Sequence, residues 1–374
     1  MKKLLTALTV TAALTVGLAA CDRAEPADTT SEDPSATVTA EPTEALTEIP
    51  TEAPTTPPVT EPPTEEVTEP EPSPVVLSQL VPEKNSLMQS YVVKTANGKL
   101  IVIDGGIDGE GKDRAPYMPS AIRAILGLKD GEYFEVEAWF LSHAHKDHMY
   151  ELSKMMRDYT ADSNYKINNI YFDFPEFGSA EYAGQNADME ISQIKENMNK
   201  YGEVIGATVK EGSTDYDDLN GAVINKDAVA KGLSFEIDGV KIDVLQTWDP
   251  ADGTSNVNDT SLVLRFHIEE QTVLFLNDLG NIGGRRLLTT YGDQLKSDIV
   301  QMAHHGQNGV TKEFYETVAP TGCFWCAPDW LWNNDAGLGY NTHCFKTVEV
   351  QGWMAEIGVK EHYILMNGTQ IVEL

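Results

Sequence analysis

Six consecutive residues, His143-Ala144-His145-Lys146-Asp147-His148, carry three imidazoles and one carboxylate. These are donor types that hold divalent metal ions, and their density exceeds anything a solvated loop requires. In an extended segment, residues i and i+2 project to one side, so His143 and His145 can grip one ion. Asp147 and His148 follow directly and can reach a second ion beside it. Upstream, Glu135 to Ser142 (EVEAWFLS) predicts a buried strand, which argues against a merely His-rich surface loop. Downstream, Met149, Leu152, Met156 and Tyr159 fall at helical spacing and predict an amphipathic helix. The donors thus sit at a strand-to-helix turn, where open-faced catalytic metals are commonly held.

Further elements are needed to complete such a site. Tyr91 to Ala96, Asn97-Gly98 and Lys99 to Asp104 predict a hairpin with a strong Asn-Gly turn, ending in a carboxylate. Ser261 to Ile268 and Gln271 to Asn277 predict two strands, the second delivering Asp278 at its end. Asp298 to Ala303 predicts a short strand running into His304-His305-Gly306. Between these parts, Tyr165 to Phe174 predicts a strand, Ala187 to Tyr201 a helix, and Leu233 to Gln246 a hairpin around Asp238-Gly239. Phe174, Phe177, Tyr182 and Trp248 read as packing or rim aromatics, with pocket lining as the alternative. At the C-terminus, a helix over Phe345 to Ile357 precedes a hairpin, Tyr363 to Met366 and Thr369 to Leu374 around Asn367-Gly368, that closes a sheet edge.

This order of parts resembles the metallo-β-lactamase superfamily, whose fingerprint is HxHxDH. The resemblance runs over roughly residues 75–374 and implies an α+β fold, the αβ/βα sandwich, with two mixed β-sheets packed face to face and flanked by helices. It implies that Asp104 orders the histidine loop without binding metal, and that Asp278 bridges two ions. The usual third histidine of the first ion is missing: only His267 lies in the interval, and it reads as a strand-face residue. Asn256 to Leu264 (NVNDTSLVL) occupies that region instead. The departure resembles the branch of competence-type DNA-uptake hydrolase domains and phosphorylcholine esterases, where the last motif reads HHG. A late histidine near an Asn also belongs to that branch, and Asn341-Thr342-His343 fills the place.

The resemblance assigns His143, His145 and Asp278 to a first ion, and Asp147, His148, Asp278 and one of His304-His305 to a second. His305 is the favoured ligand, leaving His304 to touch substrate or transfer a proton; Asn258 or water would complete the first shell. His343 would stabilise an oxyanion or protonate a leaving group. Zinc is the expected metal, with manganese the alternative, and a bridging water would titrate near about 7. The expected activity is a metal-dependent hydrolase of phosphoesters or phosphodiesters with Asp147, His304 and His343 at the reacting centre. A lactone, thioester or β-lactam hydrolase is the alternative enzyme, and a non-catalytic, metal-stabilised surface binding module the alternative of another class.

Composition speaks to place. Met1-Lys2-Lys3 and the apolar run Leu4 to Ala20 predict a signal peptide over residues 1–20, and Leu18-Ala19-Ala20-Cys21 resembles a bacterial lipobox with Cys21 as the lipidated residue. The mature protein would then be extracytoplasmic and anchored to the membrane by lipid. Residues 21–74 form a Thr/Glu/Pro-rich stretch whose 14 acidic residues face a single Arg, predicting a disordered stalk before the hydrolase domain at 75–374. A net charge of -31 over 374 residues disfavours long nucleic acid as a partner. The partner that the resemblance implies is a small-molecule or cell-envelope phosphoester. Cys323 and Cys326 form a CxxC in an apolar strand and read as structural, while Cys344 is a free thiol or pairs with one of them. The Asp104 to Asp113 stretch mimics a calcium loop only loosely and reads as a solvated turn.

Overall fold

A computed structural model describes residues 73–108, 115–175, 187–205, 208–209, 219–220, 229–252 and 256–374. The expected signal peptide, Cys21 and most of the stalk lie outside these residues, as do Phe177, Tyr182 and positions 109–114 of the Asp/Gly-rich loop. Residues Pro72–Leu374 form one compact unit.

The first half of that unit runs β1 (Val76–Gln79), β2 (Tyr91–Lys94), β3 (Leu100–Ile103), α1 (Met118–Leu126), β4 (Phe134–Val136), β5 (Ala138–Phe140), α2 (Lys146–Asp158), β6 (Tyr165–Ile167), β7 (Ile170–Tyr171) and α3 (Ala187–Ile205). A minor pair follows, β8 (Thr208–Val209) and β9 (Leu219–Asn220). The second half runs β10 (Ser234–Ile237), β11 (Val240–Gln246), β12 (Val263–Ile268), β13 (Gln271–Phe275), α4 (Asn281–Tyr291), β14 (Ile299–Gln301), α5 (Lys312–Val318), β15 (Gly322–Trp325), α6 (Asp329–Trp332), α7 (Thr347–Ile357), β16 (Glu361–Ile364) and β17 (Gln370–Glu373). One sheet has the order β17-β1-β2-β3-β5-β7 and the other β10-β11-β12-β13-β14-β15-β16.

Alternation of side chains along the strands explains why these sheets stack. Tyr91, Val93, Ile101, Ile103, Ala138 and Phe140 of the first sheet meet Val240, Ile242, Val244, Leu264, Phe266, Val273, Phe275 and Phe324 of the second in one shared core. The intervening residues Val92, Val102 and Trp139 point the other way, against Met118 and Ile122 of α1, Leu152, Met155 and Met156 of α2, and Ile194 and Met198 of α3. On the far side Leu274, Val300, Cys323 and Trp325 meet Leu287, Phe314, Val350 and Met354 of the outer helices. Each such fully buried large side chain is worth about 1.5–3 kcal/mol. Helix, sheet, sheet and helix layers result: the metallo-β-lactamase fold.

Three expected elements differ in detail. The strand predicted over 135–142 breaks at Glu137, with β4 pairing only to β6 and β5 joining the main sheet between β3 and β7. The strand predicted over 165–174 divides likewise into β6 and β7. The C-terminal segments do not pair with one another: β16 runs parallel to β15 in the second sheet, whereas β17 lies antiparallel to β1 in the first. Apolar content made a hairpin of them, but partner choice is set by nonlocal packing. Within each sheet the strands nearest the site are parallel, β3 with β5 and β13 with β14 and β15. The loops leaving their carboxyl ends therefore gather at one edge.

Candidate metal centre

Those loops carry the donors. Asp104 follows β3, Ser142 to His148 follow β5 into α2, Asn277-Asp278 follow β13, and His304-His305 follow β14. Two donor groups converge on a shared carboxylate: Asp147, His148, His305 and Asp278 in one, His143, His145 and Asp278 in the other. In the first group, His148 Nε2 is 3.2 Å and His305 Nε2 3.3 Å from Asp278 Oδ2, and His305 Nε2 is 3.1 Å from Asp147 Oδ2. In the second, His143 Nε2 lies 3.0 Å from His145 Nδ1 and 3.9 Å from Asp278 Oδ2.

The neighbours of these donors fix which nitrogen faces the site. Asp104, wholly buried, accepts from Ser142 N at 2.7 Å and Ser142 Oγ at 2.8 Å, and its Oδ2 lies 2.7 Å from His148 Nδ1. That carboxylate places the proton of His148 on Nδ1 and leaves Nε2 as a donor to metal. Ser142 Oγ also lies 3.0 Å from His143 Nδ1, so His143 presents Nε2 in the same manner. Below the centre, Gln89 Nε2 donates to Asn277 Oδ1 at 2.9 Å, Asn277 Nδ2 to the Leu262 carbonyl at 2.6 Å, and Gln301 Nε2 to Gln89 Oε1 at 3.3 Å. This buried amide network joins the two halves of the fold directly beneath Asp278, and nothing in the sequence flagged it. Amides far apart in the chain leave no local pattern.

The backbone at the site is held in sparsely populated conformations. Among the described non-glycine residues with positive φ are Asp104 (60°), Asn277 (51°), His304 (49°) and His305 (57°), all at this edge. Such conformations persist where surroundings over-determine them, and they cluster at functional sites. Gly306 continues the run at φ 79°, and a Cβ there would lie 2.4 Å from the Trp325 ring. Only glycine fits.

The electrostatics follow from burial and crowding. Burial alone would depress His148, but Asp278 and Asp104 outweigh it and hold this imidazole well above its ordinary range. His305 behaves alike, lifted against burial by Asp278 and Asp147. Asp278 is held well below the usual carboxylate range because His148, His305 and His304 overcome its desolvation. His143, in contrast, is pushed well below the ordinary histidine range by burial and then by His148 and His145.

A cation suits this arrangement. Buried His148 Nε2 and His305 Nε2, which face the cluster, and Oδ1 of the shared Asp278 have no hydrogen bond. Buried donor atoms left this way are expensive unless a metal satisfies them. Their chemistry, imidazole nitrogen with carboxylate oxygen, is that of zinc and similar divalent ions.

The remaining sequence candidates fall as follows. His304 stands at the cluster's edge, with Nε2 3.4 Å from Asn258 Nδ2 and 3.9 Å from Asp278 Oδ2. Asn258 is buried in a single turn of 3-10 helix, Val257–Thr260, and its Oδ1 has no hydrogen bond. His343 is partly exposed, stacks on Phe345 with ring centroids 4.3 Å apart, and is tied through its backbone to Asn334; none of its contacts is with the donor cluster. His267 pairs with Asp243 at 2.7 Å on the strand face. Phe174 packs in the core against Phe172, and Trp248 is partly buried. Cys323 and Cys326 are buried and Cys344 is exposed, and none of the three is in a disulfide. Cys326 lies beyond the end of β15, its thiol directed at the Met88 carbonyl at 2.9 Å.

The chain belongs to the metallo-β-lactamase superfamily, whose sequence profile matches residues 89–320. Similar solved structures include the diiron β-hydroxylase CmlA from Streptomyces venezuelae, at 11% identity and TM-score 0.45 over 82% of this chain and 55% of that one. This chain thus spans about half of CmlA's length. They also include YhfI from Bacillus subtilis, at 11% identity and TM-score 0.41 over 80% of this chain and 100% of that one. A diphosphatase of the PhnP family matches at 13% identity and TM-score 0.40 over 80% of this chain and 98% of that one. No curated protein sequence matches the chain.

Proposed function

We propose that this protein is a cell-surface phosphoesterase, acting on phosphodiesters or phosphomonoesters such as choline-phosphate groups, nucleotides or short nucleic acids. The observation that carries the reading is the pair of donor groups meeting on Asp278. Two divalent ions held there, zinc or manganese, would supply a water activated near neutral pH and a positive clamp for a phosphoryl group. The chain's own residues do the rest. Asp278 keeps the two donor groups in register, and Asp104 with Ser142 locks His148 and His143 in the binding tautomer. Asp147, beside His305, is positioned to orient or accept a proton from water. His343, half-buried on the loop after α6, is offered as the group that contacts the phosphoryl oxygens or the leaving group.

The acidic chain supports a small substrate over a long nucleic acid, because sequence-independent binding of a polyanion needs a basic surface. The lipobox and the Thr/Glu/Pro-rich segment support a site held away from a bacterial membrane. Turnover of bis(p-nitrophenyl) phosphate, p-nitrophenyl phosphate, p-nitrophenyl phosphorylcholine, an aryl lactone and a chromogenic cephalosporin by the metal-loaded protein tests the assignment. Hydrolysis of at least one phosphoester, abolished by chelation, is expected. Turnover of the lactone or cephalosporin with none of the phosphates would overturn it.

A further inference from the structure

Four imidazoles surround one carboxylate oxygen, and they fall into two pairs by distance. His148 Nε2 and His305 Nε2 stand 3.2 and 3.3 Å from Asp278 Oδ2, while His143 Nε2 and His304 Nε2 each stand 3.9 Å from it. A charge-assisted hydrogen bond would be about 2.7–2.9 Å long. Two donors that share one ion, each about 2.1 Å from it, stand roughly 3–4 Å apart. All four separations therefore suit shared metal ligation better than direct pairing. The closer pair belongs with Asp147, which lies 3.1 Å from His305 Nε2. His143 belongs with His145, 3.0 Å away, and that group contains only two imidazoles.

We propose that His304 supplies the third imidazole of the first metal position, replacing the histidine that the superfamily places upstream and this chain lacks. The consecutive left-handed residues then have a purpose. With φ of 49° at His304 and 57° at His305, the two rings splay apart, their centroids 6.0 Å distant and planes 52° apart. The His305 ring reaches Asp147 and the second position, while the His304 ring stands 3.9 Å from Asp278 Oδ2, next to Asn258. The His304 N–H donates to the Asn277 carbonyl at 2.8 Å, which ties the backbone of this histidine to the residue preceding the bridging carboxylate. Its side chain is only 18% exposed. Asn258 Nδ2, 3.4 Å from His304 Nε2, meets the same nitrogen that would ligate the ion, so this contact gives way when metal binds. His304 does not lie within 4.8 Å of every donor atom of the His143, His145 and Asp278 group, so ligation there requires its imidazole to move towards that group when metal binds.

The proposal rests on the two-metal reading of the site but not on the class of substrate, so its test reads metal alone. The full-length protein in detergent, stripped by chelator, is titrated with Co(II) and followed by calorimetry and visible absorption. The wild type is expected to take two equivalents. His304→Ala, and His304→Gly for which a left-handed backbone carries no penalty, should keep one equivalent at wild-type affinity and weaken the other at least 10-fold. His143→Ala should weaken the same equivalent, and His305→Ala the other. Two equivalents at wild-type affinity in the His304 variants, loss of the His305-dependent equivalent in them, or a wild type that takes only one equivalent would each overturn the proposal. Phosphoester turnover is not read, so failure here leaves the substrate assignment to its own experiment.

Discussion

At the scale of single residues, the site depends on groups that bind nothing themselves. Asp104 touches no metal donor atom that faces the cluster, yet its Oδ2 lies 2.7 Å from His148 Nδ1 while it also accepts both Ser142 bonds. Asp104→Asn removes the anion that fixes the imidazole's tautomer and raises its basicity. Metal affinity should fall about 10–100-fold, the usual scale for such a partner, as read by titration of the stripped protein. Unchanged affinity would mean that Ser142 alone orients the loop. His343 is tested differently. If it contacts the phosphoryl group, His343→Ala lowers kcat by roughly 100-fold with metal content unchanged; near-full activity would reduce it to a residue that stacks on Phe345. The contiguous donors were legible in the sequence because six adjacent positions carry four of them. Gln89, Asn277 and Gln301 were not, because each meets its partners only after the sheets have assembled.

Secondary elements set the precision of the site through the ends of parallel strands. The turn after β14 carries three left-handed residues, His304, His305 and Gly306, and sets Gly306 against Trp325 of β15. Gly306→Ala should destabilise the protein by about 2–4 kcal/mol, combining a left-handed penalty with overpacking. Urea denaturation of the two proteins would measure it, and a loss below about 1 kcal/mol would contradict the fit against Trp325. Most elements near the site were legible from the alternation of apolar residues and from the Asn97-Gly98 and Asp238-Gly239 turns. Partnering was less so. Glu137 splits one predicted strand between two sheets, and β16 and β17 leave a shared turn for different sheets, choices made by distant β15 and β1.

For the whole molecule, an acidic chain carries a locally cation-binding edge, and we propose that a lipid tether holds it at the membrane. If Cys21 is the lipidated residue, Cys21→Ser should abolish incorporation of labelled palmitate and shift the protein out of the detergent phase. Label and membrane partition retained in that variant would remove the anchoring proposal. The central claim is that one carboxylate, Asp278, holds two ions together. The metal content of zinc- or manganese-loaded full-length protein, set against that of Asp278→Ala, tests it most directly. Up to two equivalents are expected in the wild type and loss of both in the variant, with the fold retained by circular dichroism. A folded Asp278→Ala protein that still carries two equivalents would contradict it.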